Sequence, residues 1–394
     1  MDSDLILIIV VGTALAFDFT NGFHDTANAV ATSVSTYALS PRIAVLLASL
    51  LNFVGAFISL KVAATVGSGI VESGAATTTV VFAGLVGAIA WNLITWWFGL
   101  PSSSSHALIG GLVGATLAAA GTSGVDFNGL VDKVLIPGLV APFLAFVVAG
   151  AAILIAYGVC GRLRPGPVNR GFRLGQLVSG SMFSLAHGTN DAQKTMGIIT
   201  LALIAHGDLP ATGFDVPLWV IVSSATAIAL GTYSGGWRII KTMGSKIIKM
   251  DPAQGFSAQG SGAAVVLTAS HLGYPLSTTH VISGGIMGAG AAKRLSAVRW
   301  GVAGNIATAW LLTLPASAAI GALAYGVIAI FGDGAAGPLV VTVCGIGLLL
   351  AIFGRRAVAN RRAKRGIGLG AGVPAVDPYA AAGVEEEQDV EVRA

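Results

Sequence analysis

The segment at residues 101–115 reads PSSSSHALIGGLVGA, and a related segment at residues 275–289 reads PLSTTHVISGGIMGA. Both contain the proline, a triplet of hydroxyl residues followed by a histidine, and three glycines at the same spacing. A weaker repeat relates NGFHDTAN, which starts at Asn21, to HGTNDAQK, which starts at His187, through one glycine and one aspartate. Similarity between two parts of one chain is the signature of an internal duplication. The sequence therefore predicts two structurally related halves.

The composition indicates a membrane protein. Of the 394 residues, 54% are hydrophobic and only 10% are charged, and the mean hydropathy is +0.81. Soluble globular domains carry roughly 25% charged residues, so this chain has too few charges to cover a water-exposed surface. An all-α polytopic membrane protein is predicted, because several uncharged stretches reach the roughly 18 to 20 residues that span a bilayer. These stretches are residues 43–60, 73–125, 134–160, 252–292 and 300–331.

The basic residues concentrate in a few short segments that flank the apolar stretches. Lys and Arg mark the cytoplasmic side of a membrane protein, whereas the other loops carry mainly acidic residues such as Glu72 and Asp215. This distribution predicts an N-terminus outside, a C-terminus in the cytoplasm, and two halves of opposite orientation in the cytoplasmic membrane. Because the basic residues do not line one helix face, we predict no nucleic-acid partner. The basic segments are Arg42, 162–173, 238–249, 293–299 and 355–365.

Related halves of opposite orientation, interrupted by glycine and proline, are typical of secondary transporters with a site near the bilayer midplane. We therefore expect two inverted-topology repeats, each with a pair of segments that leaves and returns to the same side, in about ten to twelve membrane segments in all. The expected organisation is an N-terminal membrane repeat at residues 1–160, a basic cytoplasmic linker at 161–173, a C-terminal membrane repeat with a final span at 174–355, and a disordered cytoplasmic tail at 356–394.

Two aspartates, Asp25 and Asp191, lie within apolar stretches. A carboxylate at the bilayer centre costs at least about 2.5 to 3.5 kcal/mol and marks an ion or proton path by default. Amide oxygens nearby in the sequence would add ligands for a small hard cation. We therefore predict a site for a coupling proton or sodium ion at these two acids and at Asn21, Asn28 and Asn190.

Other polar residues of these stretches have simpler interpretations. Asp18 fits a carboxylate that is buried in helix packing or kept wet at the interface, and the same interpretation stays open for the two acids above. Lys194 follows Asp191 by three residues and could pair with it along a helix. His24 and His187 could move protons or be satisfied by neighbouring carbonyl groups.

Each hydroxyl triplet follows a proline and precedes an apolar, glycine-bearing segment, as expected where a helix begins. A helix N-terminus presents unpaired N–H groups and the positive end of the helix dipole. Two such ends beside a loaded cation site would bind a multivalent oxyanion, either phosphate or, nearly as well, sulfate. Helix capping and small-residue packing are the alternative roles of these hydroxyls. The predicted anion ligands are Ser103, Ser104, Ser105, Ser277, Thr278 and Thr279.

Other kinds of site find little support. Cys160 and Cys344 lie in separate apolar stretches, and no spacing such as H-E-x-x-H occurs, so we predict no disulfide, resident metal or cofactor. Ser104 or Ser105 with His106 could suggest an intramembrane serine hydrolase, but a nucleophile needs a base across the site rather than the next residue. A channel is disfavoured because two hairpins would close the site.

These motifs resemble those of the inorganic phosphate transporter family, called Pit or PiT. The resemblance rests on NGFHDTANAVATSV at Asn21, AHGTNDAQKTMG at Ala186, PSSSSH and PLSTTH; it covers residues 5–355 and is closest to the bacterial low-affinity Pit transporters. It implies two inverted repeats, each with a broken first helix and re-entrant hairpins, a homodimer, and phosphate transport without covalent chemistry. The family's site residues fall here on the two hydroxyl triplets and on Asp25, Asn28, His187, Asn190 and Asp191.

Two acids that occur in sodium-coupled animal members of that family are absent. Asn52 and Gln259 stand at their positions. Neutral residues there resemble the proton-coupled bacterial members, which take up phosphate with divalent cations as a neutral metal-phosphate complex. The resemblance therefore implies import of phosphate by proton-coupled symport, with sodium coupling through Asp25 and Asp191 as the alternative.

Overall fold

The computed structural model describes residues 2–72, 74–210, 212–332 and 334–367, and most of them are helical. Within these ranges no sheet forms, and one antiparallel bridge joins Val71 to Val125. The predicted all-α class is confirmed. The helices are α1 (Asp2–Ser35), α2 (Pro41–Gly55), α3 (Lys61–Ser68), α4 (Thr78–Phe98), α5 (Ser104–Ala120), α6 (Phe127–Leu130), α7 (Ile136–Cys160), α8 (Pro165–His206), α9 (Leu218–Ser234), α10 (Trp237–Lys241), α11 (Pro252–Leu272), α12 (Thr278–Lys293), α13 (Trp300–Ala329) and α14 (Ala336–Ile367), with π-helical turns at Val131–Leu135 and Thr242–Lys246.

Four described helical stretches are long and apolar enough to cross a bilayer, namely α1, α4, the run Phe127–Cys160 and α13. A fifth is obtained if α9 and the segment Trp237–Lys246, which are bent by 60°, form one broken span. Large apolar side chains on α7 are exposed, such as Leu139 (73%) and Phe143 (70%), as expected for a surface in contact with lipid. The chain is a multi-pass membrane protein. The expected ten to twelve segments stay a prediction, since the other helices are shorter or more polar.

Two helical hairpins carry the hydroxyl triplets, one in each half. In the first, α4 is capped by Gly99, whose φ of +66° suits glycine, and α5 begins at Ser104. In the second, α11 is capped by Gly273, with a φ of +86°, and α12 begins at Thr278. A left-handed glycine stops a helix, and the proline that follows two residues later cannot continue it. Both triplets therefore lie at helix N-termini, as predicted.

The repeated glycines of α5 and α12 allow close packing against a long helix of the other half. A Cβ atom at Gly114 would overlap the backbone of Ala318 in α13, and one at Gly288 would overlap the backbone of Phe146 in α7. The glycines four residues earlier meet the same two helices. Small residues four apart let membrane helices approach closely. Each hairpin is therefore packed against the half that does not contain it.

The two signature helices, α1 and α8, are unbroken, contrary to the expectation of an interrupted first helix in each repeat. α1 has 34 residues and contains the motif at residues 21–28, and α8 has 42 residues and contains the motif at residues 187–194. No proline lies in α1, and those of α8 occupy its first turn, where a missing N–H group is tolerated. Interruptions occur instead between α2 and α3 and between α9 and α10.

Two helices run across expected domain boundaries, which stay predictions. The basic linker was expected at residues 161–173, but α8 already begins at Pro165 because proline suits a first helical position. The final helix α14 continues to Ile367, beyond the expected end of the last span at residue 355. The rest of the predicted tail, residues 368–394, lies outside the described residues.

Candidate functional site

The predicted site residues lie on four elements that meet in the interior: the middle of α1, the middle of α8, and the N-termini of α5 and α12. Every one of them is almost completely buried, with an exposed fraction of 0 to 3%. Buried polar groups are costly unless they bind one another or a ligand. Their partners therefore show how the site is built.

Asp25 on α1 contacts both hairpin ends. Its Oδ2 accepts a hydrogen bond of 2.8 Å from Ser104 Oγ, and its Oδ1 lies 3.4 Å from Thr279 Oγ1. The adjacent His24 places Nδ1 2.6 Å from the same Oδ1. One turn further along α1, Asn28 donates to the Oγ1 atoms of Thr278 and Thr279, at 3.2 and 2.9 Å. Asp25 and Asn28 together hold the end of the opposite hairpin.

Asp191 on α8 is held mainly by its own helix. Lys194 Nζ donates to Oδ1 at 2.5 Å, and Thr278 Oγ1 donates to Oδ2 at 3.3 Å. His187 Nε2 lies 3.1 Å from Oδ2 but makes no hydrogen bond among the described residues. The other ring nitrogen of His187 lies 3.1 Å from Asn52 Oδ1. Asp191 therefore has a lysine partner on its own helix, whereas the ion pair of Asp25 among the described residues is with a histidine, His24.

Asp25, His187 and Asp191 converge from α1 and α8. One ligand atom of each lies within 4.8 Å of the others, and all three residues are buried. Two carboxylates and an imidazole at this separation could hold a cation. No local spacing in the sequence indicates this cluster, since its members come from helices that are about 160 residues apart in the chain.

Lys194 also connects the two hairpin ends, which the sequence analysis did not anticipate. Its Nζ donates to Ser105 Oγ at 2.5 Å and to the backbone oxygen of Leu276 at 2.9 Å, in addition to Asp191. Ser105 Oγ itself donates to the Leu276 oxygen at 2.9 Å. The sequence does indicate a role for Lys194 in the site, because Lys194 and Asn28 occupy the same position of the two signature motifs.

Ser103 and Ser277 act as helix caps. Each accepts a hydrogen bond from the backbone N–H three residues later, that of His106 at 3.1 Å and that of His280 at 3.3 Å. The rings of these two histidines touch edge to face, with centroids 4.9 Å apart. The caps fix the start of α5 and α12. They leave the hydroxyls of Ser104, Thr278 and Thr279 to face the acids, whereas that of Ser105 contacts Lys194 and Leu276.

Two predicted residues lie apart from these contacts. Asn190 turns to the second hairpin, where it donates to Ser270 Oγ of α11 at 2.8 Å and to the oxygen of Tyr274, in the loop after α11, at 3.1 Å. Neither side-chain atom of Asn21 has a hydrogen-bond partner among the described residues, and the same holds for both carboxylate oxygens of the buried Asp18. Asp18 is therefore buried between helices, but the described residues provide no hydrogen bond of good geometry to its carboxylate.

Comparison with known proteins identifies the family of this chain. The model of the phosphate transporter family matches residues 21–165 and 162–321. A "Probable low-affinity inorganic phosphate transporter" of Mycobacterium tuberculosis strain H37Rv is 54% identical, with 83% of this chain and 78% of that relative covered. The protein of the same name from Bacillus subtilis strain 168 is 49% identical over 82% of this chain and 98% of the relative.

A solved structure has the same architecture. "The sodium-dependent phosphate transporter" superposes with a TM-score of 0.75 and 26% identity, covering 82% of this chain and 99% of that chain. The matched family and relatives are transporters and not enzymes, so the serine hydrolase alternative is set aside. The resemblance found in the signature motifs is confirmed: this chain belongs to the phosphate transporter family.

Proposed function

We propose that this protein imports inorganic phosphate across the cytoplasmic membrane by proton-coupled symport, with alternating access to a site between α1, α8 and the two hairpin ends. The observation that supports the proposal best is the meeting of two hydroxyl-bearing helix N-termini at two buried carboxylates. The anion ligands are Ser103 to Ser105 and Ser277 to Thr279. The coupling ligands are Asn21, Asp25, Asn28, His187, Asn190 and Asp191.

The hairpin ends suit a phosphate ion for two reasons. The first turns of α5 and α12 direct N–H groups and the positive ends of two helix dipoles toward the junction. Ser104, Thr278 and Thr279 add hydroxyl donors that now bind Asp25 and Asp191. A tetrahedral oxyanion could take over those hydroxyls when the acids are neutralised, which would make cation and phosphate binding interdependent.

The charge at the junction supports co-transport of a cation with phosphate. Asp25 and Asp191 are each negative when ionised, and Lys194 offsets one of them. With both acids ionised, the site would be negative before phosphate, itself an anion, enters it. In a buried site of low dielectric constant this repulsion is strong. Protons, or a divalent cation carried in as a neutral metal-phosphate complex, would remove it, and the cluster of Asp25, His187 and Asp191 offers a place for either.

We favour proton coupling over sodium coupling because two buried side chains, Asn52 and Gln259, are neutral. Asn52 donates to Thr232 Oγ1 at 2.8 Å, and Gln259 donates to the Ala29 oxygen at 3.0 Å and to Ser33 Oγ at 2.9 Å. These amides already have protein partners and bring no negative charge that would hold a sodium ion. Sodium-coupled phosphate symport is the second candidate, since the superposed relative is called sodium-dependent.

The proposal includes the orientation and assembly inferred from the sequence. The two hairpins are taken as re-entrant parts of two inverted repeats, with the N-terminus outside and the C-terminus in the cytoplasm. The protein is taken to work as a homodimer in the lipid bilayer. Inverted repeats support alternating access, because two equivalent halves can exchange conformations around one site.

Radiolabelled phosphate uptake into proteoliposomes tests the function. We expect uptake to be driven by an imposed inward proton gradient and to be enhanced by Mg²⁺ in the external buffer. Uptake driven only by a sodium gradient would select the second candidate. Flux that shows neither saturation nor dependence on a gradient would indicate a channel and contradict the proposal.

A further inference from the structure

The ammonium group of Lys194 is held as a free cation would be held. Its side chain is 1% exposed, and Nζ contacts a carboxylate oxygen of Asp191, the hydroxyl oxygen of Ser105 and the backbone oxygen of Leu276. Carboxylate, hydroxyl and carbonyl oxygens are the ligands that proteins offer to hard cations. An ammonium group has three donors and no acceptor, so three oxygen partners satisfy it.

The other half of the molecule provides an internal comparison. In the aligned signature motifs, Asp25 corresponds to Asp191 and Asn28 to Lys194. Both residues at the second position contact the opposite hairpin at equivalent places, Asn28 at Thr279 and Lys194 at Ser105. The same position therefore carries a neutral amide in one half and a positive charge in the other.

The neutral half is left incomplete. The Oδ1 atom of Asn28 is buried and has no hydrogen-bond partner among the described residues. It lies on the same helix as Asp25, one turn away, so the first half combines a carboxylate with an unused oxygen ligand. In the second half, Lys194 has oxygen partners on α8, α5 and the loop before α12.

We propose that Lys194 is a tethered substitute for a mobile monovalent cation, so that Asp191 already carries one positive charge and only one mobile coupling ion is bound, by Asp25 and Asn28 next to the cluster of Asp25, His187 and Asp191. The effect on coupling rests on the proposed transport function, whereas the replacement of a bound cation by the Lys194 ammonium group does not. It means that one cation fewer moves with each phosphate than in a transporter whose two halves both carry the amide.

Replacing Lys194 by asparagine tests the idea, because Asn28 shows which residue the equivalent position accepts. We expect Lys194→Asn to bind sodium, which would raise its thermal unfolding temperature in NaCl relative to choline chloride. We expect its phosphate uptake to fall in choline medium and to be stimulated by sodium by roughly tenfold, within the usual range of coupling between two ligand sites. In the wild-type protein, sodium should raise the unfolding temperature less and stimulate phosphate uptake less than in Lys194→Asn.

Three controls make the response specific. Lys61→Asn removes an exposed lysine and should leave the wild-type behaviour unchanged. The double variant Asp191→Asn with Lys194→Asn removes both charges and should not respond to sodium. In Lys194→Ala the missing ammonium group can be supplied from solution, so methylammonium should raise the unfolding temperature of this variant and not that of Lys61→Asn.

The outcomes separate this inference from the proposed function. If wild-type protein takes up no phosphate under any gradient, the transport proposal fails, and the unfolding measurements still decide the role of Lys194. If neither Lys194→Asn nor Lys194→Ala is stabilised by any added cation, including the case in which neither folds in any of the media, the tethered-cation inference is overturned. A sodium response that persists in the double variant also overturns it.

Discussion

The hairpin ends of α5 and α12 are built alike, with Ser103 and Ser277 each capping a helix through the backbone N–H of the histidine three residues later. The glycines that follow also make the same kind of close contact, at Gly114 with α13 and at Gly288 with α7. The signature helices that face these ends are less alike. Asp25 is followed one turn later by Asn28, and Asp191 by Lys194.

The difference indicates which part of the duplicated site tolerates change. Backbone N–H groups bind an anion only if both helices begin at the right place, and the start of a helix depends on its cap and on the glycines that hold it. The acidic side must provide a suitable total charge, which an asparagine with a mobile ion or a lysine without one can do. We therefore expect equivalent substitutions in the two hairpins to have similar effects on stability and uptake. Equivalent substitutions in the two signature helices should have different effects.

The largest effects are expected for Asp25→Asn and Asp191→Asn. Each should abolish coupled phosphate uptake, but their effects on stability should differ. Asp191→Asn leaves the buried Lys194 without its carboxylate, a loss of about 3 to 5 kcal/mol for a buried pair, whereas Asp25→Asn keeps polar contacts to Ser104 and Thr279. Uptake assays and thermal unfolding of the purified variants measure the two effects.

The exposed Asp132→Asn is the matched control for these variants and should retain both uptake and stability. Normal uptake by Asp25→Asn or Asp191→Asn would remove that residue from the site. Equal destabilisation by both would contradict the inequality of the two signature helices.

The next effect concerns the glycines of the hairpins. Gly114→Val and Gly288→Val should each lower stability and uptake, because the new side chain meets the backbone of α13 or α7. Overpacking of this kind typically costs about 1 to 3 kcal/mol. Gly304→Val in α13 is the control, since a Cβ there would meet no other described residue within 4 Å. Detergent-solubilised yield and unfolding temperature would show the loss, and a strong effect in only one half would break the equivalence of the hairpins.

A smaller effect is expected at Asp18, which lies 0% exposed on α1 beside the polar side chains of Thr195 and Asn21, but with no hydrogen bond of good geometry to either oxygen among the described residues. Asp191 and Lys194 lie close enough to act on its charge. Asp18→Asn removes a costly buried carboxyl group, so stability should rise. Proton-driven uptake should fall by about tenfold, or about 1.4 kcal/mol. If uptake is unchanged, Asp18 belongs to helix packing and not to the coupling path.

How far the sequence could predict the site depended on the range of the interactions. The helix starts at Ser104 and Thr278 were predictable from local signals, namely the proline, the hydroxyl residues and the preceding glycine. The pairing of Lys194 with Asp191 was also predictable, since the residues are one turn apart. The contacts of Lys194 with Ser105 and Leu276 were not, because they require knowledge of how the halves pack.

One error has a related origin. A break in α1 and α8 was expected from family resemblance, but nothing in the local sequence of either motif stops a helix. The role of Asn190 in the site stays a prediction: Asn190 neighbours Asp191 in the sequence, but adjacent residues on a helix point about 100° apart, and its amide donates to Ser270 of α11. Spacing along a helix would have separated Asn190 from His187 and Lys194, which do lie on the side of Asp191.

The smallest predicted effect separates capping from anion binding within one hairpin. Ser277→Ala removes the acceptor for the His280 N–H and should cost about 1 kcal/mol, as should Ser103→Ala in the other hairpin. Ser277→Thr keeps a capping hydroxyl and is the matched control. If the caps only fix the helix start, the alanine variants should lose stability while the half-saturating phosphate concentration changes less than in Thr278→Ala, whose hydroxyl faces Asp191. A larger rise in that concentration for Ser277→Ala than for Thr278→Ala would show that the capping hydroxyl itself binds phosphate, because loss of a cap alone weakens the helix without removing an anion ligand.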